Sequence, residues 1–248
     1  AKANGELDRD TLEFIDPSPT LENLRAGRVK LRRTSELRRP GNQAIVELQN
    51  KLAIFQGIAF KTDGPIETSG AFSRQLEQII LQFRRHFYLT EKSEIDASIL
   101  RLIEGESLLD VVRSGAAVLH PQRSGRTHSP SEIATLQRSL GVVLKQLGYI
   151  NEVKTTGNFD EPTARGLAFL QEISGCTPIH ERGNLDAATL EMIYDFEKLT
   201  EEKREGFKIS ARHILRTRIL IEALASEQQE NLWLKYQDNT RDSYSLLR

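Results

Sequence analysis

The sequence contains one cysteine, Cys176, among its 248 residues. This count excludes an intrachain disulfide framework and a metal site built from several cysteines. Long hydrophobic runs are missing as well, because Arg216 and Arg218 interrupt the most apolar stretch, from Ile214 to Ala225. A membrane-spanning helix requires about 20 predominantly apolar residues. We therefore predict no membrane span.

A strong net charge is also lacking. The formal charge is −1, which gives the whole molecule no electrostatic preference for nucleic acid or for an acidic membrane. The distribution is uneven, since the stretch from Arg25 to Arg39 is crowded with basic residues and holds only Glu36 as an acid. It has no interleaved aromatic residues for base stacking, which disfavours nucleic acid as a partner. We interpret it as part of a solvated N-terminal arm, residues 1–42, with binding of an anionic polymer or a protein as the alternative.

No metal-binding or nucleotide-binding motif is present. The five histidines form no HExxH pair and show no spacing with Asp or Glu that is typical of a zinc site. His120 and His128 fall in a polar stretch rich in Pro and Gly, where solvated loop histidines are a simpler interpretation than weak chelation. The glycines are scattered and form no strand–loop–helix unit of the kind that binds phosphates. We predict no metal and no cofactor.

Two arrangements resemble catalytic ones but lack the expected context. Cys176 and His180 are four residues apart, and a Cys–His pair can generate a thiolate nucleophile. Because Pro178 lies between them, we favour a loop without catalytic function. Glu106 precedes a serine, as in lytic transglycosylases, where one carboxylic acid protonates the glycosidic oxygen. The surrounding motifs of those enzymes are absent, so we predict no catalytic residue.

Hydrophobic periodicity predicts an all-α fold. Helical apolar spacing, glycine-containing loops and Ser or Asp caps recur in the same order in residues 43–104 and 131–195. Residues 105–130 hold one short helical piece followed by many Pro, Gly and polar residues, and we predict a linker. Residues 196–248 are highly charged and predicted to form a long helix that ends near residue 236.

The two regions align as diverged copies of one three-helix repeat. When Gly70 is placed on Gly157, Phe72 falls on Phe159 without a gap. The glycine allows a tight turn, and the aromatic residue two positions later fills the core beneath that turn. After a small insertion, the third helix of each copy begins at an aspartate (Asp96, Asp186). We therefore predict an internal duplication.

The second copy carries a recognisable series of motifs. A helix ends in Leu-Gly-Tyr, a Gly-x-Phe loop is followed by Thr six residues after its Gly, the next helix ends in an apolar residue and Gln, and a Thr-x-x-x-apolar helix comes last. The positions are Leu147-Gly148-Tyr149, Gly157, Phe159, Thr163, Leu170-Gln171, Gly183, Leu185, Thr189 and Ile193. This series, from about residue 131 to residue 194, resembles the peptidoglycan-binding-like family, a small three-helix domain attached to many bacterial cell-wall hydrolases.

The first copy departs from this pattern at polar positions. Leu76 and Ile99 stand where the two threonines are expected. Arg84 replaces the glutamine that follows the aromatic of the second helix, and Ser93 replaces the later glycine. A copy that keeps apolar positions and loses polar ones is predicted to keep the fold without the ligand.

The resemblance implies non-catalytic binding of peptidoglycan by an envelope protein, periplasmic or extracellular and associated with the cell wall. Polar groups near the Gly157 loop would pair with stem-peptide carboxylates and N-acetyl groups. The predicted ligand contacts are Tyr149, Asn158, Asp160, Thr163, Arg165 and Gln171. A purely structural role is the alternative for each of them. The alternative function is a protein-interaction scaffold of a secretion or phage-like assembly, which would use the basic arm and the charged C-terminal helix.

Overall fold

A computed structural model of the protein describes residues 20–34, 37–38, 40–62, 64–121, 131–149, 151–175 and 181–245, without the side chains of residues 227 and 229–245. Across these ranges the regular structure is helical, and β-pairing is limited to isolated bridges. The predicted all-α fold class is confirmed. The helices are α1 (Leu21–Arg25), α2 (Gln43–Ala53), α3 (Arg74–His86), α4 (Ala97–Ile103), α5 (Leu108–Arg113), α6 (Ser131–Gln146), α7 (Glu161–Ser174), α8 (Ala187–Asp195) and α9 (Glu201–Ser245), with a 3-10 turn at Phe196–Lys198.

Side-chain caps start several helices where the sequence predicts them. Ser73, Asp96 and Asp186 each accept a hydrogen bond from the backbone N–H three residues later, and α3, α4 and α8 begin at the next residue. Asp160 caps α7 in the same way. Such a cap satisfies one of the N–H groups that a helix start leaves without an intrahelical partner, and its removal costs about 1 kcal/mol.

The two three-helix regions, α2–α4 and α6–α8, contribute to one continuous hydrophobic core. Phe72 and Phe159, which follow the turn glycines, are both fully buried in it. Phe159 also contacts Tyr88, which lies just after α3, with the two ring centroids 5.9 Å apart and the rings nearly perpendicular. Edge-to-face contacts of this kind stabilise a core beyond simple burial. The two regions therefore pack directly against each other.

The segment predicted as a linker, residues 105–130, belongs to the core as far as the structure describes it. Its helix α5 buries Leu108 and packs against α4 and α8. The backbone of Leu119 then exchanges two hydrogen bonds of 3.0 Å with Leu185 and also forms a bridge with Leu89. The segment packs in the core because the apolar residues of α5 and Leu119 are buried. The run of Pro, Gly and polar residues that predicted a linker begins only at the end of the described part, at residue 121.

The predicted solvated arm does not hold for residues 20–34. Leu24 of α1 and Leu31 are fully buried, and Leu31 exchanges two backbone hydrogen bonds of 2.8 Å with Ile95. The apolar residues interspersed among the arginines account for this docking, because their burial removes apolar surface from water. Residues 1–19, also assigned to the arm, lie outside the described residues.

Several basic residues of this docked segment form ion pairs with α3, α4 or their connecting loops. The pairs are Arg25–Glu104, Lys30–Glu94 and Arg33–Glu77. The hydrogen bond from Arg25 lowers the pKa of Glu104 against the effect of burial, and Lys51 contributes in the same direction. These ion pairs hold the segment on the first copy. Fewer unpaired positive charges of the basic stretch are therefore available to bind a polyanion.

The C-terminal helix α9 is longer than predicted and continues to Ser245. Its first part packs against α7, where Ala211 is fully buried and Phe207 stacks on Phe196 with ring centroids 6.3 Å apart. From Arg216 to Ser226 every described side chain is exposed. The helix thus leaves the body of the protein after its first part.

Candidate functional site

A buried glutamine of α6 connects the Gly157 turn to the start of α7. Gln137 is fully buried, and its Oε1 accepts a hydrogen bond of 2.8 Å from the Gly157 N–H. Its Nε2 donates to the carbonyl of Asn158 at 2.7 Å and to Oγ1 of Thr163 at 2.8 Å. Thr163 in turn donates to Oδ1 of the cap, Asp160, at 2.6 Å. We call this arrangement a glutamine bridge.

A second glutamine bridge joins α7 to the start of α8. Gln171 is fully buried, and its Oε1 accepts from the Gly183 N–H at 2.7 Å. Its Nε2 donates to the carbonyl of Asn184 at 2.7 Å and to Oγ1 of Thr189 at 2.8 Å. Gly157 and Gly183 have φ angles of 75° and 92°, a region that favours glycine.

The first copy contains a reduced form of the same arrangement. Oε1 of Gln49 accepts from the Gly70 N–H at 3.0 Å, and its Nε2 donates to the carbonyl of Ala71 at 3.1 Å. Leu76 occupies the position of Thr163, so the hydroxyl partner is missing and a buried apolar side chain stands in its place. The bridge therefore keeps its backbone contacts and lacks the contact that Gln137 makes with the Thr163 hydroxyl.

An arginine replaces the glutamine between α3 and α4. Arg84 is 3% exposed, and its Nη2 donates to the carbonyl of Glu94 at 2.9 Å and to the cap Asp96 at 2.7 Å. Burial opposes ionisation of Asp96, but the Arg84 charge and hydrogen bonds from Ser98, Arg84 and Ile99 outweigh burial and lower the pKa of Asp96. The hydrogen bond from Arg84 to the Glu94 carbonyl corresponds to the bond from Gln171 to the Asn184 carbonyl. The positive charge that arginine adds is balanced by the carboxylate of the cap, Asp96.

The predicted ligand contacts do not form one cluster. Asp160, Thr163 and the backbone of Asn158 belong to the Gln137 bridge, whereas Gln171 forms the other bridge. Thr163 and Gln171 are fully buried, so neither presents a polar atom to a ligand at the surface. Their hydrogen bonds are those of the fold, which favours the structural alternative for these residues.

The two remaining predicted contacts lie closer to the surface. Tyr149 is half-buried and packs on Phe169 with ring centroids 4.6 Å apart. Arg165 is exposed and pairs with Glu161 at 3.1 Å on the first turns of α7. Of the six predicted contacts, Arg165 is therefore the one that is exposed, while Asn158 and Asp160 are half-buried.

Four exposed polar residues flank the members of the Gln137 bridge in the sequence. They are Lys154, Thr155, Glu161 and Arg165, which we call the loop edge. At the aligned positions the first copy exposes Glu67, Thr68, Arg74 and Gln78. Three of the four aligned positions therefore carry reversed or altered charges in the two regions.

Gln137 was not among the predicted site residues, although the sequence holds a signal for it. It lies four residues after Ile133 and three before Leu140, both buried, so a polar side chain stands on the apolar face of α6. A polar residue on such a face must find hydrogen-bond partners inside the protein.

The residues weighed as catalytic or metal-binding groups either contact other residues of the fold or lie outside the described ranges. His120, predicted as a solvated loop histidine, contacts Thr90 at 2.8 Å and Asn184 at 3.1 Å, so it bridges the two copies. Glu106 pairs with Arg101 at 3.4 Å. Among the described side chains, no group of three or more His, Cys, Asp or Glu is arranged to hold a metal ion. Cys176, His180 and His128 fall in undescribed stretches.

The described helices include none that combines the length and the apolar character needed to cross a membrane. An open cleft of about 540 Å³ lies between α1 and the start of α2, lined by Thr20, Leu21, Gly41, Asn42, Gln43, Ala44 and Glu47. It is remote in sequence from the predicted ligand contacts, and Glu47 is its one charged lining residue.

Comparisons of the chain with family models, with curated proteins and with solved structures found no match. The resemblance to the peptidoglycan-binding-like family therefore stays a prediction based on the motifs of the second copy. Five of the residues that carry these motifs form the glutamine bridges: Gly157, Thr163, Gln171, Gly183 and Thr189. These motif residues thus form the hydrogen bonds that join the helices and turns of the second copy.

Proposed function

We propose that the chain is a non-catalytic peptidoglycan-binding protein of the bacterial envelope, which contacts the wall through the loop edge of its second copy. The observation that supports this most directly is the position of the loop edge. Its residues are exposed and flank the Gly157 turn in the sequence, within the part of the chain whose motifs resemble the peptidoglycan-binding-like family.

The chemistry of the loop edge suits the wall's stem peptides. Lys154 and Arg165 are exposed cations that would pair with stem-peptide carboxylates, while Glu161 would pair with free amino groups. Thr155 offers a hydroxyl to N-acetyl groups of the glycan. Thr163 belongs to the Gln137 bridge and Gln171 to the second bridge, and neither residue contacts the wall in this proposal.

A sedimentation assay with purified, protein-free sacculi tests the proposal. We expect the intact chain to sediment with sacculi and a Lys154→Ala/Arg165→Ala variant to remain largely in the supernatant. The matched control is Glu67→Ala/Gln78→Ala, which changes aligned exposed positions of the first copy and should bind like the intact chain. Circular dichroism establishes that each variant is folded. Failure of the intact chain to sediment at low salt would refute the proposal.

Asp160 is unsuitable for this test, although it is a predicted contact. Its carboxylate caps α7 and accepts from the Thr163 hydroxyl. Replacing it with alanine would weaken the start of α7 and the Gln137 bridge together. A loss of binding in that variant would not separate ligand contact from local unfolding.

A protein-interaction scaffold is the second candidate, and the exposure of α9 favours it. Ile219, Leu220, Ile221 and Leu224 are each more than half exposed. Solvent-facing apolar clusters on a helix are typical of surfaces that pair with another helix. Absence of sacculus binding together with association through α9 would favour this second function.

A further inference from the structure

We propose that α9 pairs in antiparallel orientation with α9 of a second copy of this chain. The pairing goes beyond wall binding and does not depend on it. The pairing surface is the part of α9 that follows its contact with α7.

The contact of α9 with the body ends near Arg218. Arg218 pairs with Glu172 of α7, and its guanidinium lies 5.7 Å from the centre of the Phe169 ring. Before this point Ile214 and Leu215 are half-buried against the core. After it, α9 continues as a helix to Ser245.

The apolar segment of α9, residues 219–224, is exposed on every side. Ile219 is 57% exposed, Leu220 63%, Ile221 59% and Leu224 59%. Most helical stability in proteins comes from packing of an apolar face, and an unsupported helix is marginal in water. This chain provides no described packing partner for the segment, so a second molecule would supply one.

Three of the exposed apolar residues, Ile209, Leu220 and Leu224, share a face of α9 that differs from the face on α7. Ile209, 60% exposed, lies eleven residues before Leu220, which is almost exactly three helical turns, and Leu224 follows one turn later. The face that packs on the body instead carries Ala211 and Arg218. A partner helix can therefore lie along α9 without displacing α7.

Charge indicates that the partner is α9 itself and sets the orientation. Residues 201–218 contain six basic and three acidic residues, whereas residues 222–245 contain five acidic residues and two basic ones. The apolar segment lies between these halves, at the middle of α9. In an antiparallel pair the basic half of each copy lies beside the acidic half of the other, while a parallel pair places like charges together.

A two-fold axis at the level of Glu222 brings the apolar faces of the two helices together and also sets each basic half beside an acidic half. It places Leu220 of one copy beside Leu224 of the other, and residue 213 beside residue 231. Each copy presents the same surface, as an interface between identical chains with two-fold symmetry requires. The association therefore closes at a dimer and does not propagate into a filament.

Analytical ultracentrifugation of the full chain tests the association. We expect a dimer at micromolar concentration, and a Leu220→Gln/Leu224→Gln variant should dissociate roughly 100-fold more readily because the symmetric pair loses four leucines. Ile219→Gln is the matched control, since Ile219 is equally exposed but lies about 100° around the helix from Leu220. Both variants keep the body folded, because the altered side chains contact solvent in the isolated chain.

Cysteine cross-linking tests the orientation in a Cys176→Ser background. A mixture of His213→Cys and Asn231→Cys chains should form mixed disulfide dimers, and His213→Cys alone should not. A monomer at all concentrations, or cross-linking of His213→Cys to itself, would overturn the proposal. Since sacculus binding is measured separately, a monomer that still sediments with sacculi would refute self-pairing and leave wall binding intact.

Discussion

Gln171 of α7 and Thr189 of α8 are joined by a side-chain hydrogen bond of 2.8 Å, and both residues are fully buried. The same glutamine also accepts from the Gly183 N–H. One side chain thus connects two helices and the turn between them. Because buried polar groups are costly when unpaired, this small network fixes the relative position of α7 and α8.

Replacing Gln171 with leucine should destabilise the protein by about 3 kcal/mol, since it leaves the Gly183 N–H, the Asn184 carbonyl and the Thr189 hydroxyl without this buried partner. Urea unfolding measures the change. Adding Thr189→Val should cost less in the Gln171→Leu background than in the intact chain, because the bond between Gln171 and the Thr189 hydroxyl is already lost. Additive effects of the two changes would contradict the bridge.

Gly70→Ala should destabilise the protein far more than Gly115→Ala. Both glycines have positive φ, 73° and 75°, so each substitution carries the strain of a left-handed conformation, about 1 kcal/mol. A Cβ at residue 70 would also lie 2.8 Å from the Asn42 nitrogen and from Cγ2 of Val46, whereas one at residue 115 would meet nothing within 4 Å. We expect a total of about 3 kcal/mol for Gly70→Ala. Equal thermal shifts would contradict the close approach of α2 to the Gly70 turn.

The sequence predicted features that depend on local signals. Ser73 and Asp96 cap helices because a short polar side chain precedes an apolar periodic run, and this signal lies within a few residues. The burial of Phe72 and Phe159 follows from their fixed position after a turn glycine. These features need no knowledge of the distant chain.

Features that depend on long-range contacts were missed. Leu119 lies in a stretch without helical periodicity, and only the approach of Leu185 and Leu89 gives its backbone partners. Leu24 and Leu31 stand among arginines, and the density of positive charge predicted a solvated arm although both leucines are buried. The motifs of the second copy marked Thr163 and Gln171 as special positions, but their burial became evident only when their hydrogen-bond partners were known.

The Arg84–Asp96 pair should make stability depend on pH in the acidic range. The folded-state pKa of Asp96 is lowered, so its ionised form stabilises the protein above its unfolded pKa of about 4, and this contribution is lost as pH falls through the folded value. Asp96→Asn should cost about 2 kcal/mol at pH 7, because Arg84 is left buried without a counter-charge. Urea unfolding from pH 7 to pH 3 should show this difference shrinking as pH falls. A difference that stays constant over that range would refute the assignment.

The two copies should unfold in a single transition, because Leu119 and the Phe159–Tyr88 contact join them into one core. Differential scanning calorimetry should give equal calorimetric and van't Hoff enthalpies for the body. Leu119→Ala should cost about 3 kcal/mol, since Leu119 is fully buried and leaves a cavity between the copies. Its neighbour Val118 is 40% exposed, so Val118→Ala serves as the control with a change below about 1 kcal/mol. Two separate transitions in the intact protein would show that the copies are independent domains and that Leu119 does not couple them.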